Sequence, residues 1–219
     1  MSWVALALAV AAAVVAARWY VGRELGRWRE FPLVGVVLLV VLAVGAATPG
    51  VLRARQERRL AGVASELAGR PVAVRCQAFG GAFVDAGVEL GYVRWRADGS
   101  PEDWTLLKRD ACRDLAAYVR AGGRRPSRAQ VVAVHVLTHE AMHLAGRTDE
   151  SVAECAAVQR DARTARLLGA PAGEALALAV SYWRTVYPRM PDGYRSSACR
   201  PGGTMDEHLP DAPWRPAGV

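Results

Sequence analysis

Residues 127–154 read SRAQVVAVHVLTHEAMHLAGRTDESVAE. Ser127 and Gln130 make a capping-box start, apolar residues then run to Leu144, and Gly146 offers a C-terminal stop. The stretch predicts a helix from Ser127 to about Leu144, a turn at Gly146-Arg147-Thr148, and a second helix to about Leu168. Within the first helix lies Thr138-His139-Glu140-Ala141-Met142-His143, an H-E-x-x-H motif. Residues four apart share a helical face, so His139 and His143 can present two imidazoles to one zinc ion. Glu140 stands beside that pair, where its carboxylate can act as general base toward a metal-activated water.

A catalytic zinc of this type takes three protein ligands and keeps one position open. Glu150, Glu154 and Asp149 are the candidates for the third. Glu150 and Glu154 lie four apart on one helical face. An antiparallel hairpin turning at about Gly146–Arg147 sets residue 150 opposite His143 and residue 154 opposite His139. Only six residues separate His143 from Glu150, a hairpin tight enough for Glu154 to ligate instead.

H-E-x-x-H followed by E-x-x-A-E, over Ser127 to Gln159, resembles the gluzincin zinc metallopeptidases. The resemblance implies that Glu150 binds Zn2+ and that Glu154 orients His139 through its other ring nitrogen. It implies a zincin-like domain that hydrolyses peptide bonds with Glu140 as the base. The gap between the two motifs is shorter than in most gluzincins. His139 to Asp149 also fits H-E-x-x-H-x-x-G-x-x-D, which is similar to the metzincin signature with Asp149 as ligand; Met205 is a weak candidate for the Met-turn that would accompany it.

Other side chains are weighed against blander roles. His135 precedes His139 by four residues and either lines the site or is a satisfied buried histidine. His208, Tyr187 and Tyr194 are candidate hydrogen-bond donors to a developing oxyanion. Trp95, Trp104 and Trp183 read as core or interface residues.

Working outward, residues 53–68 read as a charged helix that Gly69-Arg70-Pro71 ends. Pro71–Gln77 and Ala86–Ala97 carry β-type patterning, and Asp98–Pro101 is a turn. A helix is expected from Glu102 or Leu107 to Ala121, stopped by Gly122-Gly123. Another is expected from about Glu174 to Tyr187, before Pro188. The Pro- and Gly-rich tail from Pro188 reads as irregular, tied down if Cys199 is bridged.

Upstream, Met1–Ala17 and Phe31–Leu52 contain no charge. About 20 apolar residues span a bilayer core. The second stretch meets that alone, and the first does so if it runs on to Gly22 with Arg18 snorkelling. The first lacks the basic n-region of a cleaved signal peptide. Arg18, Arg23, Arg27 and Arg29 follow the first span, and Arg53, Arg55, Arg58 and Arg59 follow the second. With that tie, the first helix places the short loop in the cytoplasm and the C-terminal domain outside. The H-E-x-x-H helix itself is too short and too closely flanked by arginine to span.

The chain of 219 residues carries a net charge of +7. Residues 1–59 hold eight Arg and three Glu, so most of the excess sits beside the apolar segments. The remainder, with 20 basic and 18 acidic groups, is nearly neutral, which argues against a nucleic-acid partner. Lys108 is the sole lysine, and the Arg-, Ala- and Val-rich composition suits a GC-rich bacterial gene. Cys76, Cys112, Cys155 and Cys199 contain no C-x-x-C pair and suit an oxidising compartment. Pairing Cys76–Cys112 and Cys155–Cys199 closes the two local loops, against the alternative of four buried thiols.

These readings converge on an α+β, mostly helical chain. Residues 1–52 form a transmembrane hairpin, 53–70 a charged linker helix, and 71–219 a small zinc-dependent metallopeptidase-like domain. The expected partners are a lipid bilayer and a peptide or protein substrate, and the expected place is the cell membrane, crossed twice. The alternative is a non-catalytic, membrane-tethered zinc-binding scaffold or interaction protein.

Overall fold

The computed structural model describes residues 3–27, 30–78 and 90–214. The chain divides into two compact units, one up to Gln56 and one from Glu57 onward. In the first, helix α1 spans Trp3–Glu24, and helix α2 spans Leu33–Ala68. The 22 residues of α1 extend about 33 Å at 1.5 Å per residue, enough for a bilayer core. Both helices are long and apolar enough to cross a membrane. Val4, Val10 and Val14 of α1 and Val34, Leu38 and Val41 of α2 are exposed, so the apolar surface is not buried against protein. Such a helix is at home where lipid replaces water. Pro49 removes one backbone donor from α2, and the Thr48 hydroxyl donates to the Val44 carbonyl at 2.6 Å.

The second unit starts inside α2. Leu60, Val63, Ala64 and Leu67 from its last turns are buried in the core, so residues 57–68 are part of this unit rather than a free tether. A three-stranded sheet follows: β1 (Ala73–Cys76), β2 (Gly91–Trp95) and β3 (Pro101–Leu107), in the order β1-β3-β2. β1 runs parallel to β3 and β2 antiparallel to it, with Gly91 and Cys76 both in register with Leu107. The expected strand residues 86–89 lie outside the described residues, as does the rest of 79–89.

Residues 101–107 correct the sequence reading, which allowed a helix from Glu102. They form the central strand, with Thr105 and Leu107 buried and Leu106 between them less so. That two-residue period and pairing on both edges outweigh any local helical preference. Helix α3, Arg109–Arg120, starts only after Lys108.

Helix α4, Arg128–Leu144, carries the predicted capping box, with Ser127 and Gln130 bonding each other's backbone N–H. It packs against β2, β3, α3 and the later helices, and twelve of its 17 residues are buried. Helix α5, Glu150–Val158, returns antiparallel after a turn at Gly146, whose φ of 93° suits glycine. The single long helix expected to Leu168 is instead two, α5 and α6 (Asp161–Leu167). The break falls at buried Gln159, whose amide donates to the carbonyls of Cys155 (3.0 Å) and Met205 (2.9 Å). Its Oε1 accepts from Glu207 N at 2.8 Å, so the side chain is committed to the tail. Helix α7 spans Ala172–Thr185, and 3-10 turns follow at Tyr187–Arg189 and Asp192–Tyr194.

Alanine dominates the helix interfaces: Ala133, Ala141, Ala153, Ala156, Ala157, Ala162, Ala165, Ala175 and Ala179 are all buried. Small side chains let helices approach closely, which explains a core built with few aromatic rings. Both expected disulfides are present, Cys76–Cys112 and Cys155–Cys199. The first ties β1 to α3; the second ties α5 to the tail. Replacing Cys155 and Cys199 together by Ser should cost about 2–4 kcal/mol of stability, measured by denaturant unfolding of the full chain in detergent. Non-reducing peptide mapping should return the same two pairs.

Candidate metal centre

His135, His139 and His143 occupy one face of α4 at four-residue spacing, and all three are buried. His139 Nε2 and His143 Nε2 stand 3.0 Å apart. Glu150 Oε2, from the first turn of α5, lies 3.1 Å from His139 Nε2 and 3.3 Å from His143 Nε2. These three atoms form a near-equilateral triangle. Ligands bound to a first-row divalent ion at about 2.0–2.1 Å stand about 3.3 Å apart at tetrahedral angles, close to the spacing seen.

The outer ring nitrogens decide what the inner ones can offer. His143 Nδ1 donates to the Arg147 carbonyl at 2.6 Å. His139 Nδ1 donates to Glu154 Oε2 at 3.0 Å. With protons at Nδ1, each neutral ring turns a lone pair at Nε2 toward the other and toward the Glu150 carboxylate. Three converging lone pairs repel unless a cation or proton sits among them, so the group can hold a metal ion. Protonation expresses the same demand when no metal is bound. Burial works against a charged His139, yet the Glu150 and Glu154 carboxylates lift it to about 9. Burial, and then neighbouring His139, push His143 below its usual value. The hydrogen bond from His139 holds Glu150 below the usual carboxylate range, and half of its side chain stays open to solvent.

The three acidic candidates occupy different places. Glu150 joins the histidine pair. Glu154, 1% exposed, accepts from His139 Nδ1, from His135 Nε2 (2.9 Å) and from the Tyr182 hydroxyl (2.7 Å). Burial opposes its ionisation, but His135 and His139 hold it well below the usual range. Asp149 caps α5, accepting from Val152 N at 3.0 Å and from the Ser151 hydroxyl at 2.8 Å. His135 is a hydrogen-bonded buried histidine, and its ring also lines the cavity behind the site. Its Nδ1 meets Asp161 Oδ2 at 2.9 Å.

Glu140 is buried and packs against β2. A Cβ on Gly91 would come within 2.8 Å of Glu140 Oε1, so glycine there makes room for the carboxylate. The Thr105 hydroxyl, which donates to the Tyr92 carbonyl at 2.9 Å, stands 3.4 Å from Glu140 Oε2. Two cavities meet at Gly91, His139, Glu140 and Tyr194. The smaller, about 200 Å³, is also lined by His143, Glu150 and Trp95. The larger, about 400 Å³, is walled by Val132, Val136, Val186, Met190 and Pro191.

Of the candidate oxyanion donors, Tyr194 lines both cavities, its ring 5.8 Å from that of His139. Tyr187 is held at Ser196, accepting its backbone N–H at 3.1 Å. His208 lies beside Asp206 in the tail. Met205 is tied to α5 through Gln159. Trp95, expected as a core or interface residue, is not in the core: its ring meets His143 edge-on at 5.9 Å, and it is 38% exposed. Trp104 lies under Arg75 and Arg94, while Trp183 packs with Tyr187 and Trp214. Asp161, Tyr182 and Gly91 have no sequence signal, because their roles arise only where distant elements meet.

Comparison with protein-family models, with curated proteins and with solved structures gives no match.

The full chain in detergent should bind one divalent ion, read by equilibrium dialysis against Zn2+ or Co2+. His143→Ala and Glu150→Ala should each weaken binding at least about 10-fold. Below about 9, the proton on His139 must leave before the ring can ligate. Affinity should therefore rise with pH up to that value, by at most about tenfold per unit, and fall on acidification.

Proposed function

We propose that the protein is a membrane-anchored zinc metallopeptidase, with Zn2+ held by His139, His143 and Glu150. The observation that carries the reading is the triangle of ligand atoms facing a cleft that Glu140 and Tyr194 also line. Two imidazoles and a carboxylate suit zinc, and three protein ligands leave a position for substrate. Bound there, the ion would polarise the scissile carbonyl and acidify the attacking water.

The remaining chemistry belongs to the chain. Glu140 takes a proton from the water as its oxygen adds to the peptide carbon. It then delivers that proton to the amide nitrogen as the C–N bond breaks, leaving a carboxylic acid and an amine. Tyr194 supplies the hydroxyl that stabilises the carbonyl oxygen as charge builds on it. Glu154 keeps His139 in the tautomer that presents Nε2. The cavity walled by Val132, Val136, Val186 and Met190 adjoins Glu140 and receives an apolar substrate side chain.

The two disulfides support a domain outside the reducing cytoplasm. With α1 and α2 in the cell membrane, the short basic loop then faces inward. The cleft thus serves peptides or proteins close to the outer membrane surface.

Glu140→Gln should lower kcat on an apolar peptide library by about 10³-fold or more while zinc content stays at one per chain. Tyr194→Phe should lower kcat by about 10²-fold with KM little changed. Turnover by Glu140→Gln at the wild-type rate would overturn the assignment of Glu140 as the base, whereas a wild-type chain that holds zinc and turns over no peptide would favour the zinc-binding scaffold. Gly91→Ala, by displacing Glu140, should reduce kcat without loss of metal, measured by the same peptide assay and metal analysis.

A further inference from the structure

Behind the metal-facing histidines runs a buried chain of groups that the hydrolytic steps do not use. Asp161 Oδ2 meets His135 Nδ1 at 2.9 Å, and His135 Nε2 meets Glu154 Oε2 at 2.9 Å. The same Glu154 oxygen accepts from His139 Nδ1 at 3.0 Å. Tyr182 Oη donates to the other Glu154 oxygen at 2.7 Å. The Tyr182 ring lies flat on that of His135, centroids 3.6 Å apart and planes 11° from parallel. The groups come from α4, α5, α6 and α7, and none is more than 2% exposed apart from His139 at 7%.

A carboxylate held by one imidazole alone can swing about its side-chain torsions. Glu154 cannot, because three donors from two other helices bind its two oxygens. His135 is fixed in turn, with one ring nitrogen on each carboxylate and its face on Tyr182. Both of its nitrogens are engaged, so it is positioned to support a ligand rather than to be one.

We propose that His135, backed by Asp161 and Tyr182, is the positioning residue of the metal centre. It clamps the Glu154 carboxylate at one place, which fixes the ring plane and tautomer of His139 toward the ion. This rests on His139 being a metal ligand, as in the function proposed above. It adds that the geometry of the centre is set two residues behind the ligand. Outer groups of this kind commonly change metal affinity by 10- to 100-fold.

The test uses the full chain in detergent, with Zn2+ affinity from competition with a chromogenic chelator. The visible absorption of the Co2+-loaded protein reports coordination geometry. Tyr182→Phe keeps the ring stack and removes one donor to Glu154; His135→Gln removes the clamp itself. Zn2+ affinity should fall about 10-fold in His135→Gln, less in Tyr182→Phe, with altered Co2+ bands in both. Tyr118→Phe, which removes a buried hydroxyl elsewhere in the core that has no hydrogen-bond partner among the described residues, should leave affinity and bands unchanged. Wild-type affinity and unaltered bands in Tyr182→Phe and in folded His135→Gln would overturn the proposal, reducing the cluster to a structural one. If His135→Gln does not fold, Tyr182→Phe decides alone. Failure of the wild type to bind Zn2+ or Co2+ would instead overturn the metal reading, and this inference with it.

Discussion

The Glu154 carboxylate is the constraint around which the soluble unit is arranged. It is ionised and almost wholly buried, a state that is costly unless every strong acceptor site finds a donor. His135 and His139 of α4 and Tyr182 of α7 supply those donors. Meeting them fixes the lateral position and rotation of three helices at once. It also settles which nitrogen of His139 faces the cleft, because the donor to Glu154 is Nδ1.

The surrounding sequence makes that arrangement possible. Alanines along α4, α5, α6 and α7 let the backbones approach closely enough for short polar bridges. Gly91 does the same between β2 and α4, where a methyl group would strike Glu140. Cys155 follows Glu154 directly and is bridged to Cys199, so the tail bearing Met190, Pro191 and Tyr194 is anchored beside the buried cluster. Gln159 adds three hydrogen bonds from the same region to the tail and to α5. Irregular segments with few apolar contacts are held in place by such cross-links.

Local signals carried much of the site. The capping box and the histidine spacing both depend on contacts three or four residues apart, and the structure has them as read. The apolar segments are equally local, since length and composition suffice to identify them. The central strand was obscured because the strand state of PEDWTLL is fixed by pairing on both edges, with the hairpin neighbour β2 on one and with β1, 31 residues upstream, on the other. The break between α5 and α6 was obscured for the same reason: Gln159 leaves the helical pattern to bind a tail some 46 residues on.

By itself, the sequence determined that a buried helix would turn two histidines and a glutamate toward one point, and that an acidic helix would return beside them. Helical periodicity imposes the shared face of the histidines on any chain with that spacing, and the glycine at 146 permits the turn back. Tertiary structure alone decided how three nearby acids divide their roles: Glu150 beside the histidines, Glu154 buried behind them, Asp149 at the helix cap. Their order along the chain is compatible with several assignments. What separates them is the set of donors brought near each carboxylate by α4, α6 and α7, and those contacts exist only once the helices have packed.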